Sequence, residues 1–167
     1  ALATHKVASV ALGVGATLRH AREKALDWRF AGFILACGLP GVVLGARVVL
    51  AIPANICTLL LGLLTIGLGL YSIANPSLGS TSEPCHRDRV GFLAGGFVLF
   101  AIGFLNGSLT SGTGLFVTLW LVRWFGFDYS RAVAYTLILV GLFWNATGAI
   151  TLGIQGQIAW LWLPALL

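Results

Sequence analysis

Long apolar runs alternate with short polar breaks along this chain: 1–18, 31–51, 54–74, 91–105, 115–121, 132–152 and a closing run, 158–167. Wound as helix, about 20 apolar residues match the roughly 30 Å hydrocarbon core of a bilayer. The pattern therefore predicts an all-α fold, a polytopic transmembrane helical bundle whose first partner is the lipid bilayer. About six spans with short loops account for the length and leave no room for a sizeable soluble domain. Pro40-Gly41 predicts a kink within the second run and Pro53 ends it. Gly62, Gly67 and Gly69 suit close helix packing in the third.

The region from 91 to 121 breaks the pattern at Asn106-Gly-Ser-Leu-Thr-Ser-Gly-Thr-Gly114. Glycines and hydroxyl residues there make a continuous helix costly. Unpaired backbone at membrane depth is tolerated only where protein buries it or where it lines a cavity, so the break points to a binding site and to a transporter. It allows either one long interrupted span or a re-entrant hairpin of two half-helices. From Thr113 to Arg123 a helix covers about 15 Å, which places the break near the midplane if Arg123 is interfacial. The hairpin is favoured, because it leaves Arg123 and Arg131 on the cytoplasmic side with the other cationic clusters.

Composition agrees: 58% of residues are hydrophobic and only 9% charged, and the mean hydropathy is +0.95. The net charge of +5 sits at the ends of apolar runs, where Lys and Arg set topology, so no nucleic-acid partner is expected. The basic loop 19–29 and the polar segment 75–90 both read as cytoplasmic. Multi-pass insertion in the cell (inner or plasma) membrane follows. Cys37 and Cys57 lie in apolar runs and Cys85 beside His86, which makes neither a disulfide framework nor a metal site. No cleavable signal is visible. Because Ala1 opens within an apolar run and 158–167 reaches only about 15 Å, further helix is expected at both ends, from the native protein or an oligomeric neighbour. A homo-oligomer is compatible with this.

Ala1-Leu-Ala-Thr-His-Lys6 aligns weakly with Ala132-Val-Ala-Tyr-Thr-Leu137, and Asp27-Trp28 with Ala159-Trp160. The loop after the first copy is basic and that after the second neutral, as two copies inserted in opposite directions would show. Residues 1–167 are thus expected to form a single membrane domain with inverted repeats. Residues 1–74 would be the remainder of the first repeat, 75–90 a cytoplasmic linker and 91–167 a second repeat, incomplete at its carboxyl end.

Lys6 is the sharpest candidate for chemistry. It lies thirteen residues, roughly 20 Å, deeper than Arg19, too deep for snorkelling alone, and no carboxylate occupies a facing depth. An uncompensated cation there is a natural anion site. The turn supplies the other half: hydroxyls of Ser108, Thr110, Ser111 and Thr113, with Gly112 and Gly114 letting amides at a helix start point at a ligand, and Asn106 belongs to the same candidate binding set. Thr4, His5, Thr136, Trp144 and Asn145 complete the set as hydrogen-bonding groups, with His5 able to carry a coupling proton. Trp28, Trp124 and Trp160 read as interfacial anchors. No Gly-Lys-Ser/Thr follows the glycines, so no nucleotide loop is present. No catalytic dyad or metal cluster lies at membrane depth, so neither an enzyme nor a cofactor is expected.

Together these motifs resemble the TauE/SafE family of sulfite or sulfonate exporters over nearly the whole chain. Ala3-Thr-His-Lys6 is similar to the family's Ala-Thr-Asn-Lys segment, and Asp27-Trp28 to the end of its basic loop. Asn106-Gly107 with Ser111-Gly-Thr-Gly114 resembles its second glycine-rich motif. Arg131-Ala-Val-Ala-Tyr-Thr136 with Asn145 resembles the second alanine-threonine segment. His5 replaces a usual Asn, Leu137 stands where many members carry a second Lys, and the first glycine-rich motif belongs ahead of Ala1. The resemblance implies a secondary transporter exporting a small sulfur-containing or organic anion by alternating access. An anion-selective channel built on the same midplane residues is the alternative.

Overall fold

The computed structural model describes residues 2–20, 27–51, 53–75, 85–86, 88–109 and 113–154. All regular structure among them is helical. The basic loop at 21–26, most of the linker 75–90 and the closing run with Trp160 lie outside the described residues.

Six helices follow the apolar runs: α1 (Leu2–His20), α2 (Trp28–Val48), α3 (Ala54–Ala74), α4 (Arg89–Ser108), α5 (Thr113–Phe125) and α6 (Tyr129–Ile154). Of these, α2, α4 and α6 are long and apolar enough to cross a membrane. Each of the three starts on an aspartate whose carboxylate accepts a hydrogen bond from a first-turn amide: Asp27 from Arg29, Asp88 from Gly91 and Asp128 from Arg131. These caps satisfy amides that the helix itself cannot, and place a negative charge at its positive end. α2 runs unbroken through Pro40.

The three capped helices are parallel. A Cβ on Gly103 would collide with the Gly38 carbonyl, one on Gly45 with the Phe104 carbonyl and one on Gly107 with the Val42 carbonyl. α2 and α4 therefore touch backbone to backbone along their length, the close approach that small residues permit when no hydrophobic effect drives helices together. Gly38 also accommodates the Trp144 ring of α6. Near their starting end, the Phe30 ring packs edge to face with Phe92, Phe125 and Tyr135 and tilted against Phe127, and Tyr135 Oη accepts from the Asp27 amide at 2.8 Å. Arg29, Arg89, Arg123 and Arg131 belong to this end.

Against this parallel set, α1 and α5 run the other way. Gly13 of α1 meets Gly141 of α6, where an added Cβ would come within 2.5 Å of backbone, and Lys6 meets Gly148. α5 descends along α4 until its end rejoins the start of α4: the Cys85 amide donates to the Phe125 carbonyl at 3.4 Å and Trp124 Nε1 to the Gly91 carbonyl at 3.1 Å. α4 and α5 form a helical hairpin with both feet at one end, not one long span.

Two boundaries differ from expectation. α4 continues through Asn106, Gly107 and Ser108, so the chain leaves the helix only at Leu109. Gly107 is the contact point with α2 and Ser108 Oγ bonds back to the Phe104 carbonyl at 2.9 Å, so packing and local hydrogen bonding outweigh poor helix propensity. Within α6, Thr136–Trp144 winds as a π-helix, which apolarity alone does not reveal. α3 is exposed along nearly all its described length.

Candidate functional site

Lys6 is fully buried, 0% exposed, on α1. Its ammonium reaches across the bundle and donates to the main-chain carbonyl of Asn106 on α4 at 2.5 Å. Gly148 makes room for it: a Cβ there would stand 2.9 Å from Lys6 Cδ and 3.3 Å from Nζ. An ammonium carries three donors, and Asn106 O is its one hydrogen-bond acceptor among the described residues. The described acids, Asp27, Asp88 and Asp128, cap helices at the far end of the bundle, so none of them neutralises it.

Asn106, 1% exposed, is the centre of the site. Its side-chain carbonyl accepts from Thr113 Oγ1 at 2.6 Å, which ties the last turn of α4 to the first residue of α5 across the break. Its Nδ2 is buried and has no hydrogen-bond partner among the described residues. Leaving such a donor unsatisfied costs about 1–3 kcal/mol, so a ligand acceptor would be favoured there. The Trp144 indole N–H is likewise buried and unpartnered among the described residues. Trp144 lies one turn before Gly148, with its ring against Gly38. The neighbourhood is thus a buried ammonium and an amide donor, with an indole donor one helical turn from the ammonium's contact.

Depth follows from helix length. The 13 residues of α5 carry the chain about 20 Å from the arginine-rich end to Thr113, somewhat past the middle of a roughly 30 Å core.

The remaining predicted residues are placed unevenly. Thr113 is buried in the site, and Gly114 faces Thr136 Cγ2. Ser108 is buried with its hydroxyl bonded to its own helix. Thr136 bonds the Ala132 carbonyl at 2.9 Å and receives the hydroxyl of Thr118 at 2.9 Å, joining α6 to α5. Asn145 reaches only the Gly141 carbonyl of its own helix, at 3.4 Å. His5, next to Lys6 in sequence, is exposed and has Ser9 Oγ 3.5 Å from its ring. Ser111, Gly112 and Thr110, and the side chain of Thr4, lie outside the described residues. Of the anchors, Trp28 is exposed, while Trp124 is stacked between His86 and Trp120.

Thr118, Gly38 and Gly148 were not singled out by sequence reasoning. Thr118 follows Gly114 by one helical turn in an otherwise apolar segment, which was its available signal. The two glycines act through what they leave room for, and that depends on which helix lies opposite. Among the described residues no group of His, Cys, Asp and Glu is arranged to hold a metal ion.

The family model "Sulfite exporter TauE/SafE" matches residues 1–167. The chain is 29% identical over 161 residues to a probable membrane transporter protein of Haemophilus influenzae, covering 96% of this chain and 62% of that protein. It is 28% identical over 166 residues to the probable membrane transporter protein YfcA of Escherichia coli K12, covering 96% of this chain and 58% of that protein. A probable membrane transporter protein of a Sinorhizobium species is 28% identical over 138 residues, covering 83% of this chain and 52% of that protein. The chain thus spans about three fifths of the length of the first two relatives. No solved structure matches it significantly. A membrane bundle carrying the alanine-threonine-lysine segment against the glycine-rich break, matched end to end by one family model, belongs to the sulfite exporter TauE/SafE family.

Proposed function

We propose that the chain is the ligand-bearing part of a multi-pass inner-membrane secondary transporter, not an enzyme, that exports a small sulfur-containing or organic anion by alternating access. The observation that carries this is the pairing of Lys6 with Asn106: a buried ammonium without an acidic partner, beside an amide donor without an acceptor, among the described residues. An anion such as sulfite or a sulfonate offers several acceptor oxygens and one or two negative charges. It would receive the spare N–H groups of Lys6, Nδ2 of Asn106 and first-turn amides of α5.

The hairpin supports a carrier. α4 and α5 start and end beside one another, so Leu109 and Thr113 lie at the tip of a two-helix arm that reaches past mid-membrane from the arginine-rich side. In such a carrier this tip would meet the ligand from one side and α1 from the other as the two repeats rock about the site. The Gly13–Gly141 crossing of α1 and α6 supplies a close backbone pivot between the two copies of the proposed inverted repeat.

Counterflow in proteoliposomes tests the reading. Vesicles preloaded with sulfite should take up labelled sulfite in a saturable manner, and taurine or acetate, supplied in the same way, ranks the substrates. A current that rises linearly with driving force and shows no counterflow would replace the carrier with an anion channel.

A further inference from the structure

We propose that the groove between α2 and α4 at the arginine-rich end is a binding site for one anionic glycerophospholipid, with its headgroup phosphate on Arg89 and an acyl chain along Phe33 and Phe97. The groove encloses about 620 Å³, within the ~300–1,000 Å³ typical of small-molecule sites. On α4 its wall is a single stripe, Arg89, Phe92, Leu93, Gly96 and Phe97, spaced at one and two turns. On α2 Phe33 and Cys37, again one turn apart, form the opposite wall.

Gly96 opens the floor, since a Cβ there would stand 2.9 Å from Cys37 Sγ and 3.3 Å from the Phe33 ring. Leu93 and Phe97 are 77% and 74% exposed, so the groove faces outward and not into the bundle.

Chemistry and position together select the occupant. Arg89 is the one charged side chain among the described lining residues, it is exposed, and no carboxylate pairs with it among the described residues. Asp88 beside it is turned to the Gly91 amide as the helix cap. From Arg89 to Phe97 the stripe runs about 12 Å down the helix, close to the depth of one leaflet. The occupant must therefore be amphiphilic, with an anionic head at the interface and hydrocarbon below it. A planar guanidinium matches a phosphate in two parallel hydrogen bonds and sits where interfacial basic residues meet acidic lipids. A helix from a second copy could fill the apolar part, but it would leave the guanidinium without an anion.

Native mass spectrometry of the purified full chain, titrated with dioleoyl phosphatidylglycerol or dioleoyl phosphatidylcholine, separates the cases because the tails are identical. The wild-type chain should retain one phosphatidylglycerol about fivefold more tightly than phosphatidylcholine. Arg89→Gln should erase that preference without loss of helicity by circular dichroism. Leu93→Trp, on the exposed rim, should weaken both lipids alike; if it fails to fold, Phe97→Ala should do so by removing the wall. A preference that survives Arg89→Gln would overturn the proposal, as would retention of both lipids unaltered by the groove variants. So would a lipid-free dimer that Leu93→Trp converts to monomer. None of these outcomes touches anion counterflow, so the site stands or falls independently of the transport reading.

Discussion

Lys6 donates through its Nζ to the main-chain carbonyl of Asn106, a contact between residues 100 positions apart, while the Asn106 amide nitrogen beside it has no partner among the described residues. One residue thus holds the cation in place and offers a donor of its own. Asn106→Asp converts that donor into a carboxylate next to the ammonium. The new ion pair would satisfy Lys6 and repel an incoming anion. Sulfite uptake should fall at least about tenfold, because a charge-assisted hydrogen bond is worth about 1.5–3 kcal/mol, with the variant still folded. Uptake equal to wild type would remove Asn106 from the site.

The α2–α4 seam makes a sharper statement about stability. Gly45→Ala drives a methyl into the Phe104 carbonyl, whereas at Gly62 of α3 nothing lies within 4 Å. Overpacking costs about 1–3 kcal/mol, so thermal unfolding in detergent should drop clearly for Gly45→Ala. Gly62→Ala should be neutral or slightly stabilising, since alanine is the better helix former. Equal melting temperatures for the two would mean that the helices do not touch there.

Thr118 and Thr136 tie the returning arm of the hairpin to α6 through their hydroxyls at 2.9 Å. A double-mutant cycle with Thr118→Val and Thr136→Val should give a coupling of about 0.6 kcal/mol, the size found for interhelical hydrogen bonds in membranes. Additive single effects would show that the hydroxyls serve only their own helices.

The hairpin also predicts sidedness. In a background with the three native cysteines replaced by alanine, Ser130→Cys at the start of α6 and Arg47→Cys at the end of α2 should label from opposite sides. Both positions are exposed. An impermeant maleimide should reach position 47 in intact cells and position 130 only in inverted vesicles. Labelling of both from one side would mean that α5 crosses outward.

Much of this was legible because bilayer thickness imposes its length on the chain. The apolar runs at 31–51, 54–74 and 132–152 became α2, α3 and most of α6 with ends moved by a few residues. The aspartates at 27, 88 and 128 carried a cap signal that the apolar pattern alone passes over. Lys6 and Asn106 were legible as misfits, a charge and an amide in apolar surroundings, but their meeting was not, because it depends on α1 and α4 crossing at one depth. The π-helix of Thr136–Trp144 leaves no mark in composition. Nor could His5 be separated from Lys6 in advance: adjacent helical residues point about 100° apart, so one is enclosed and the other exposed.

Equilibrium binding of labelled sulfite to the purified full chain, compared between wild type and Lys6→Ala, tests the central claim most directly. Loss of the ammonium should abolish saturable binding, a drop of at least about tenfold, while circular dichroism shows unchanged helicity. Wild-type affinity in a folded Lys6→Ala protein would contradict it.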